Sequence, residues 1–354
     1  MLKINIIGTV GVPACYGGFE SLVDNLLNYT PKNVQYTVFC TLKKYHNTID
    51  AYKGAKLIYL NLDANGKNSI LYDYKSMKMS LDCDIMLILG VSGCIFLSKI
   101  RRRFKGKIFI NIDGLEWKRD KWNFLIKKFL KFSEAQAICY SDIVIGDNKG
   151  ITDYVKQEYG KEAILIAYGG DQVVRINDDS LYRDYPFCRE KYAVTVCRIE
   201  PENNIHIILE AFADFSKISL VIVGNWQQSV YGRGLKEKYT SYKNLHLLEP
   251  VYEPHKINWL RSNAFIYIHG HSAGGTNPSL VEAMNIGLPV LAYDCVYNRA
   301  TTENKCLYWK NSEELRTLLS RKSNSFPEIA SAMQEAGKRL YNWHHIAEQY
   351  NALY

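Results

Sequence analysis

The sequence predicts an α/β protein made of two doubly wound domains, and three observations carry that expectation. Short apolar runs recur from one end to the other, many closing on Gly or Asp. They are continuous and rich in β-branched residues rather than alternating, as in strands of parallel sheets buried on both faces. Stretches with helical spacing, such as Phe19–Leu27 and Ile205–Phe215, lie between several of them. At 354 residues the chain is too long for one average domain and fits two.

Taken in order, Ile4–Thr9, Val34–Cys40, Leu57–Leu62, Asp84–Gly90, Lys107–Asp113, Ser141–Asp147 and Ala163–Gly169 form a first series of strands. Tyr192–Arg198, Ser219–Gly224, Asn244–Leu248, Ala264–Gly270, Leu288–Asp294 and Cys306–Trp309 form a second. The pattern breaks within Asp171–Arg189, where Asn177-Asp178-Asp179-Ser180 and Pro186 intervene. The expected domains are residues 1–172 and 173–335, with 336–354 a C-terminal helix packing back towards the first domain.

Composition narrows the class. Hydrophobic residues at 47% and charged residues at 23% are globular values, with no low-complexity linker. Cysteines such as Cys15, Cys40, Cys83, Cys94, Cys139 and Cys197 stand singly, mostly in apolar runs, so reduced cytosolic thiols are expected rather than disulfides or a zinc site. MLKINIIGT enters a strand at once without signal-peptide architecture. The longest uncharged run, Ile85–Ser98, has 14 residues, short of the roughly 20 that span a bilayer. Net charge is +8, concentrated in Arg101–Lys107 and in Lys118–Lys131, where Trp117, Trp122, Phe124, Phe129 and Phe132 are interleaved. Such a mixture suits an anionic membrane surface; a solvated basic face is the alternative. Nucleic acid is not an expected partner, since no helix-turn-helix, RNP or zinc-finger signature is present.

In doubly wound sheets ligands bind beyond the carboxyl ends of the strands, so the turns after strands hold the candidate residues. Ala264–Met284 combines a strand, a turn with Gly274 and Gly275, and a helix beginning at Pro278. A helix N-terminus offers unpaired N–H groups and a positive dipole end to a phosphate or carboxylate. Glu282, one turn in, is placed to accept from the hydroxyls of a ribose or sugar; close packing is the other use of such glycines. The first turn of the chain, Gly8–Glu20, lacks the GxGxxG order of dinucleotide folds, yet Tyr16-Gly17-Gly18 before a helix admits a phosphate or sugar closely. Asp113 ends a strand within Asn111–Arg119, where it can meet a hydroxyl or cap the next turn. Arg198 at the next domain's first strand end is a fixed cation for a diphosphate, or a partner of Glu200 or Glu202. Asp82-Cys83-Asp84 looks like a DxD metal motif but precedes a strand, the wrong end for catalysis. His269, His271 and Glu282 lack metal-ligand spacing, so no metal or other cofactor is expected.

Together these stretches resemble GT-B glycosyltransferases of family 4, two Rossmann-like domains facing across a cleft. GTVGVPACYGGFE, NIDGLEWKR, CRIEPENN and HGHSAGGTNPSLVEAM are similar to the bacterial rhamnosyltransferase branch, which builds surface polysaccharides such as O-antigen and capsule. The resemblance covers nearly the whole chain. It implies transfer of L-rhamnose from dTDP-L-rhamnose to a lipid-linked acceptor of the undecaprenyl-diphosphate type, by a protein peripheral on the cytoplasmic face of the membrane. It implies that Arg198 contacts the diphosphate, that the N–H groups of Gly275, Thr276 and Asn277 meet it, and that Glu282, the second Glu of the E-x7-E motif, holds the ribose. Tyr16, Gly17, Gly18 and Glu20 line the acceptor or phosphate side, and Asp113, Glu116 and His271 are the catalytic candidates. Two positions depart from the family: Asn203 stands where a Lys is expected, and Gly274 replaces the first Glu of E-x7-E. Loss of the Lys leaves Arg198, the helix dipole and His271 to neutralise the leaving group. Loss of the Glu suits a 6-deoxy sugar or another donor. The alternatives are a transferase using a UDP- or GDP-sugar, a nucleotide-sugar epimerase or hydrolase of the same architecture, and a non-catalytic nucleotide-sugar-binding protein.

Overall fold

The computed structural model describes residues 1–354 other than 16, 120–121, 216 and 322–324. It divides into two compact units, Met1–Tyr168 with Trp343–Tyr354, and Gly169–Asn342.

The first unit holds β1 (Leu2–Ile7), β2 (Val34–Thr41), β3 (Ala51–Tyr52), β4 (Ala55–Leu60), β5 (Ile85–Leu89), β6 (Lys107–Asn111), β7 (Ile143–Gly146) and β8 (Ile164–Leu165). Their order is β3-β4-β2-β1-β5-β6-β7-β8. All pairings are parallel except β3 with β4, a short hairpin that the sequence reading missed because two residues carry no periodicity. All five residues of β5 are buried, which explains its unbroken apolar run. Strand order reverses between β1 and β5, so their carboxyl ends, joined by that of β6, form the edge where a doubly wound sheet binds ligands. Asp84 stands at the opposite edge, where its carboxylate accepts the Lys3 N–H at 2.8 Å and so serves strand pairing.

The second unit is a parallel sheet of β9 (Tyr192–Val196), β10 (Ser219–Val223), β11 (Leu245–Leu248), β12 (Ile266–His269), β13 (Val290–Tyr293) and β14 (Leu307–Trp309). Its order, β11-β10-β9-β12-β13-β14, reverses between β9 and β12. The helix Ile205–Ala213 follows β9, burying Ile205, Ile208, Leu209 and Phe212, and the helix Pro278–Ile286 follows β12, burying Leu280, Val281, Ala283 and Met284. The second helix starts with Pro at its first position and stops at Gly287, whose φ of 79° is the left-handed value a C-terminal cap requires.

The expected cut at 335/336 falls inside the helix Phe326–Leu340, which belongs to the second unit. Met333, Ala336 and Gly337 are buried on it, and a β-carbon at Gly337 would stand 3.0 Å from the backbone nitrogen of Asn285, so the glycine permits close packing on the helix Pro278–Ile286. The chain re-enters the first unit at Trp343. Trp343, Ile346, Ala347 and Tyr350 form one helical stripe and lie in the same apolar cluster as Ile4, Val23, Leu26 and Phe109. Burying a side chain such as Ile346 contributes about 1.5–3 kcal/mol, which fixes this short helix in place.

Among the described residues no helix is long and apolar enough to cross a membrane.

Candidate functional site

In the first unit, chain reversal after β1 depends on Gly8, whose φ is +90° and where a β-carbon would collide with the Leu89 carbonyl of β5. The following loop wraps the carboxylate of Glu20: Thr9 Oγ1 donates to Oε1 at 2.9 Å and the Val10 N–H at 2.7 Å. Glu20 is buried in the first turn of the helix Gly18–Leu26, and burial pushes its carboxyl above the usual range, with the nearby Asp113 charge adding to the rise. Gly17 has φ +124°, and a β-carbon there would run into Glu20 Oε2. The glycine is thus required by the carboxylate three residues on. Gly18 packs beside Tyr168, whose hydroxyl lies 3.5 Å from the position a β-carbon would take. Tyr16 lies outside the described residues.

Asp113 follows β6 with φ +56°, in the left-handed region that Asp and Asn tolerate better than most side chains. Its N–H donates to Asn111 Oδ1 at 3.0 Å, and Asn111 Nδ2 donates to the Tyr350 hydroxyl at 2.9 Å. The half-buried carboxylate also helps push the buried Tyr168 hydroxyl upward. Glu20, Asp113 and Tyr168 therefore gather at the carboxyl edge of this sheet. Glu116 is engaged elsewhere: Oε1 pairs with Arg119 at 2.7 Å, and Trp122 Nε1 donates to Oε2 at 3.4 Å.

The second unit builds its own group where β9 and β12 diverge. Arg198 leaves the end of β9 with its side chain 37% exposed and Nε 4.0 Å from Glu200 Oε2. Asn203 Nδ2 donates to the Arg198 carbonyl at 2.6 Å, and Asn203 Oδ1 lies 2.7 Å from His271 Nδ1. Gly270 lets the end of β12 approach the Asn203 carbonyl, where a β-carbon would collide. Asn204, at φ +50°, donates to the Gly270 carbonyl at 2.8 Å. Gly274 turns at φ +120° beside His271 Nε2; Gly275 and Thr276 are buried, and Asn277 caps the helix by accepting the Ser279 N–H at 3.0 Å. Buried nearby at the end of β12 is His269; burial lowers its pKa to about 3, so its ring is neutral.

Glu282 is held more firmly than its sequence position indicates. Arg261 pairs with Oε2, and Gln172 Nε2 donates to Oε1 at 2.7 Å. Neither partner carries a motif; Arg261 sits in the last turn of the helix Pro254–Ser262, and only the tertiary fold brings it to Glu282. Among the described residues no group of three or more His, Cys, Asp or Glu is arranged to hold a metal ion.

Residues 186–305 match the family model Glycosyl transferases group 1, and the match spans Arg198, Asn203, His271 and Glu282. This stretch is a group 1 glycosyltransferase domain. Residues 1–171, ahead of the group 1 domain, match a domain of unknown function, DUF1972. Among solved structures, the chain is similar to sucrose-phosphate synthase from Thermosynechococcus elongatus, at 16% identity and TM-score 0.85, with 100% of this chain and 98% of that one covered. Anabaena HepE in complex with UDP-glucose follows at 14% identity and TM-score 0.77, covering 100% and 99%. A glycosyltransferase from Rickettsia africae gives 12% identity, TM-score 0.73 and coverage of 99% and 97%. At these identities the likeness concerns the fold: two Rossmann-like units of the GT-B type. No curated protein matches the chain.

Proposed function

We propose that this chain is a retaining glycosyltransferase that moves L-rhamnose from dTDP-L-rhamnose to a lipid-linked glycan of the undecaprenyl-diphosphate type, in the synthesis of a bacterial surface polysaccharide. The observation that carries the reading lies inside the group 1 domain. The Arg198 strand end, Asn203 and His271 are joined by successive bonds at one strand-order reversal, and the same strand leads on through His271 to the capped helix N-terminus at Asn277. A cation, a ring nitrogen and backbone N–H groups concentrated there suit a diphosphate. The UDP-glucose held by the HepE structure supports a nucleoside diphosphate sugar as donor. Gly274 in place of the family's first motif Glu supports a sugar with fewer hydroxyls to read.

In this mechanism the bond from the anomeric carbon to the diphosphate oxygen breaks, and the acceptor oxygen bonds to the same face of the sugar. The acceptor's proton passes to the departing diphosphate, so no protein nucleophile takes part. Arg198, the helix dipole and His271 stabilise the leaving charge, with no metal or cofactor assigned a role, while Asp113 orients the acceptor hydroxyl.

The reading places the protein on the cytoplasmic face of the membrane. Phe124, Leu125 and Phe132 are 68%, 74% and 53% exposed on one helix, Phe124–Tyr140, whose exposed Lys128 stands 4.5 Å from the Phe124 ring. Exposed apolar side chains beside cations suit an anionic lipid surface. Arg101, by contrast, is bound in a two-point pair to Asp142 at 3.0 Å and serves the fold.

A thermal-shift panel of dTDP-, UDP- and GDP-sugars tests the donor, because a ligand bound only by the native state stabilises it by about 2.7 kcal/mol at a hundredfold excess over Kd. The expected result is the largest shift with dTDP-L-rhamnose, followed by transfer to a lipid-linked acceptor. Preference for another nucleotide would replace the donor, and binding without transfer to any acceptor would overturn the enzymatic reading.

A further inference from the structure

We propose that Asn203 is a positioning residue that locks the ring of His271 in its Nδ1–H form and thereby presents Nε2 to the donor's diphosphate. The inference rests on the nucleotide-sugar reading above and assigns a role to a position where the family pattern has a lysine.

The two ends of the Asn203 side chain are identified by their partners. A backbone carbonyl can only accept, so the atom 2.6 Å from the Arg198 oxygen is the amide nitrogen. The atom facing the imidazole is then the amide oxygen, 2.7 Å from Nδ1, and an oxygen in that place requires a proton on Nδ1. Both residues are buried, at 4% and 7% exposure, where an unmet donor or acceptor is costly. In the neutral ring Nε2 therefore carries the lone pair, and in the charged ring it donates.

The ring is also held from its backbone. Asn298 Nδ2 donates to the His271 carbonyl at 2.8 Å, and Ser272 bonds the Glu202 carbonyl through its N–H at 2.8 Å and its hydroxyl at 2.9 Å. Gly274 completes the arrangement, since a β-carbon there would stand 2.8 Å from Nε2. The departures at 203 and 274 thus meet at one ring: the amide supplies an acceptor that a lysine lacks, and any side chain at 274 would crowd Nε2. Among the described residues, the charged and titratable groups around the ring include Arg198 and Glu200 beyond the Asn203 amide, Glu202 behind Ser272, His269 with ring centroids 6.0 Å away, and Cys295 with Sγ 3.7 Å from the His271 carbonyl. Among the described residues in that group, Arg198 is the one permanent cation. A phosphate oxygen reaching Nε2 favours the ring form that donates, which gives the leaving group a second cationic partner where the lysine is missing.

The test is nitrogen-resolved NMR of histidine-labelled protein with dTDP as the probe, beside calorimetry of dTDP binding. In the wild type, His271 should show a proton on Nδ1, and dTDP should move its Nε2 signal. Asn203→Leu should release the ring to the other neutral form and weaken dTDP about tenfold. Asn203→Asp loses the bond to Arg198 but keeps an acceptor at Nδ1 and should retain the Nδ1–H form. Asn203→Ala stands in for the leucine variant if that one does not fold. An unprotonated Nδ1 in the wild type, or an Asn203→Leu protein with the same ring form and the same dTDP affinity, overturns the proposal. The donor reading falls separately: it fails if the wild type binds no nucleoside diphosphate, whatever the state of His271.

Discussion

Arg261 and Glu282 form an ion pair whose side chains are only 5% and 16% exposed, joining the helix Pro254–Ser262 to the helix Pro278–Ile286. The pair anchors the helix whose N-terminus lies in the candidate donor site. Removing one partner of a buried pair leaves a charge without compensation and costs about 3–5 kcal/mol. Arg261→Met should lower the melting temperature by roughly 10 °C, and the double variant Arg261→Met/Glu282→Gln should recover most of that loss. Thermal denaturation of the three proteins checks this. A single variant as stable as the wild type would show that the pair contributes nothing.

Arg198 is the test of donor binding. Loss of a charge-assisted bond in a partly desolvated site costs on the order of 1.5–3 kcal/mol, roughly ten- to a hundredfold in affinity. Arg198→Ala should weaken nucleoside diphosphate binding by that factor, and Glu282→Gln by less, mainly for ligands carrying a ribose. Unchanged calorimetric affinity in both variants would move the donor site elsewhere.

Asp113 separates chemistry from binding. Its φ of +56° is a value Asn also adopts readily, so Asp113→Asn removes charge with little backbone strain. Turnover should fall by roughly a hundredfold or more with nucleotide affinity nearly intact. A variant that keeps its turnover number and loses only thermal stability would make Asp113 a turn residue.

A pH dependence follows from Asp73, a carboxyl buried behind the loop after β5, where Oδ2 accepts the Gly93 N–H at 3.0 Å. Burial pushes its pKa up to about 8. The native state then holds a proton that the unfolded chain releases near the ordinary carboxyl value of 3.8, so the stability is fully present below 3.8 and is lost as pH rises from there through about 8. The slope for one full proton is about 1.4 kcal/mol per pH unit. His269 acts oppositely: its pKa, lowered from 6.5 to about 3, gives stability that is present above pH 6.5 and lost as pH falls. Between pH 6.5 and 8 the Asp73 slope should therefore stand clear. Urea denaturation across that window should show wild-type stability falling and Asp73→Asn nearly flat; parallel curves would refute the assignment.

Membrane association should depend on Phe124, Leu125 and Lys128. The protein should sediment with vesicles rich in anionic lipid and leave them in high salt, since exposed charges are screened beyond about 8 Å at physiological ionic strength. Replacing Phe124 and Leu125 by Ser, or Lys128 by Glu, should reduce the bound fraction severalfold. Equal binding to neutral vesicles would exclude an electrostatic anchor.

Much of the fold is legible in the sequence because each buried parallel strand writes itself as a continuous apolar run, as Ile85–Leu89 does. The hairpin strand Ala51–Tyr52 is not, being two residues long and half exposed. Of the site, Arg198, His271 and the helix after Asn277 were readable from their places at strand and helix ends. Arg261 and Gln172 were not, since each meets Glu282 only through tertiary packing. Gly17 in the sequence suggests room for a ligand, and the geometry adds a local cause, the Glu20 carboxylate that a side chain at 17 would strike.

The return of Trp343–Tyr354 to the first unit bears on how the chain is made. Synthesis proceeds from the N-terminus, and domains generally fold as units as they emerge. Here the earlier unit lacks Trp343, Ile346, Ala347 and Tyr350 of its apolar cluster until the chain beyond Asn342 has left the ribosome. The later unit, Gly169–Asn342, is uninterrupted and has every residue it needs sooner. The order of completion is thus the reverse of the order of translation, and the nascent first sheet waits with a gap in its core for the helix Trp343–Asn351 to fill.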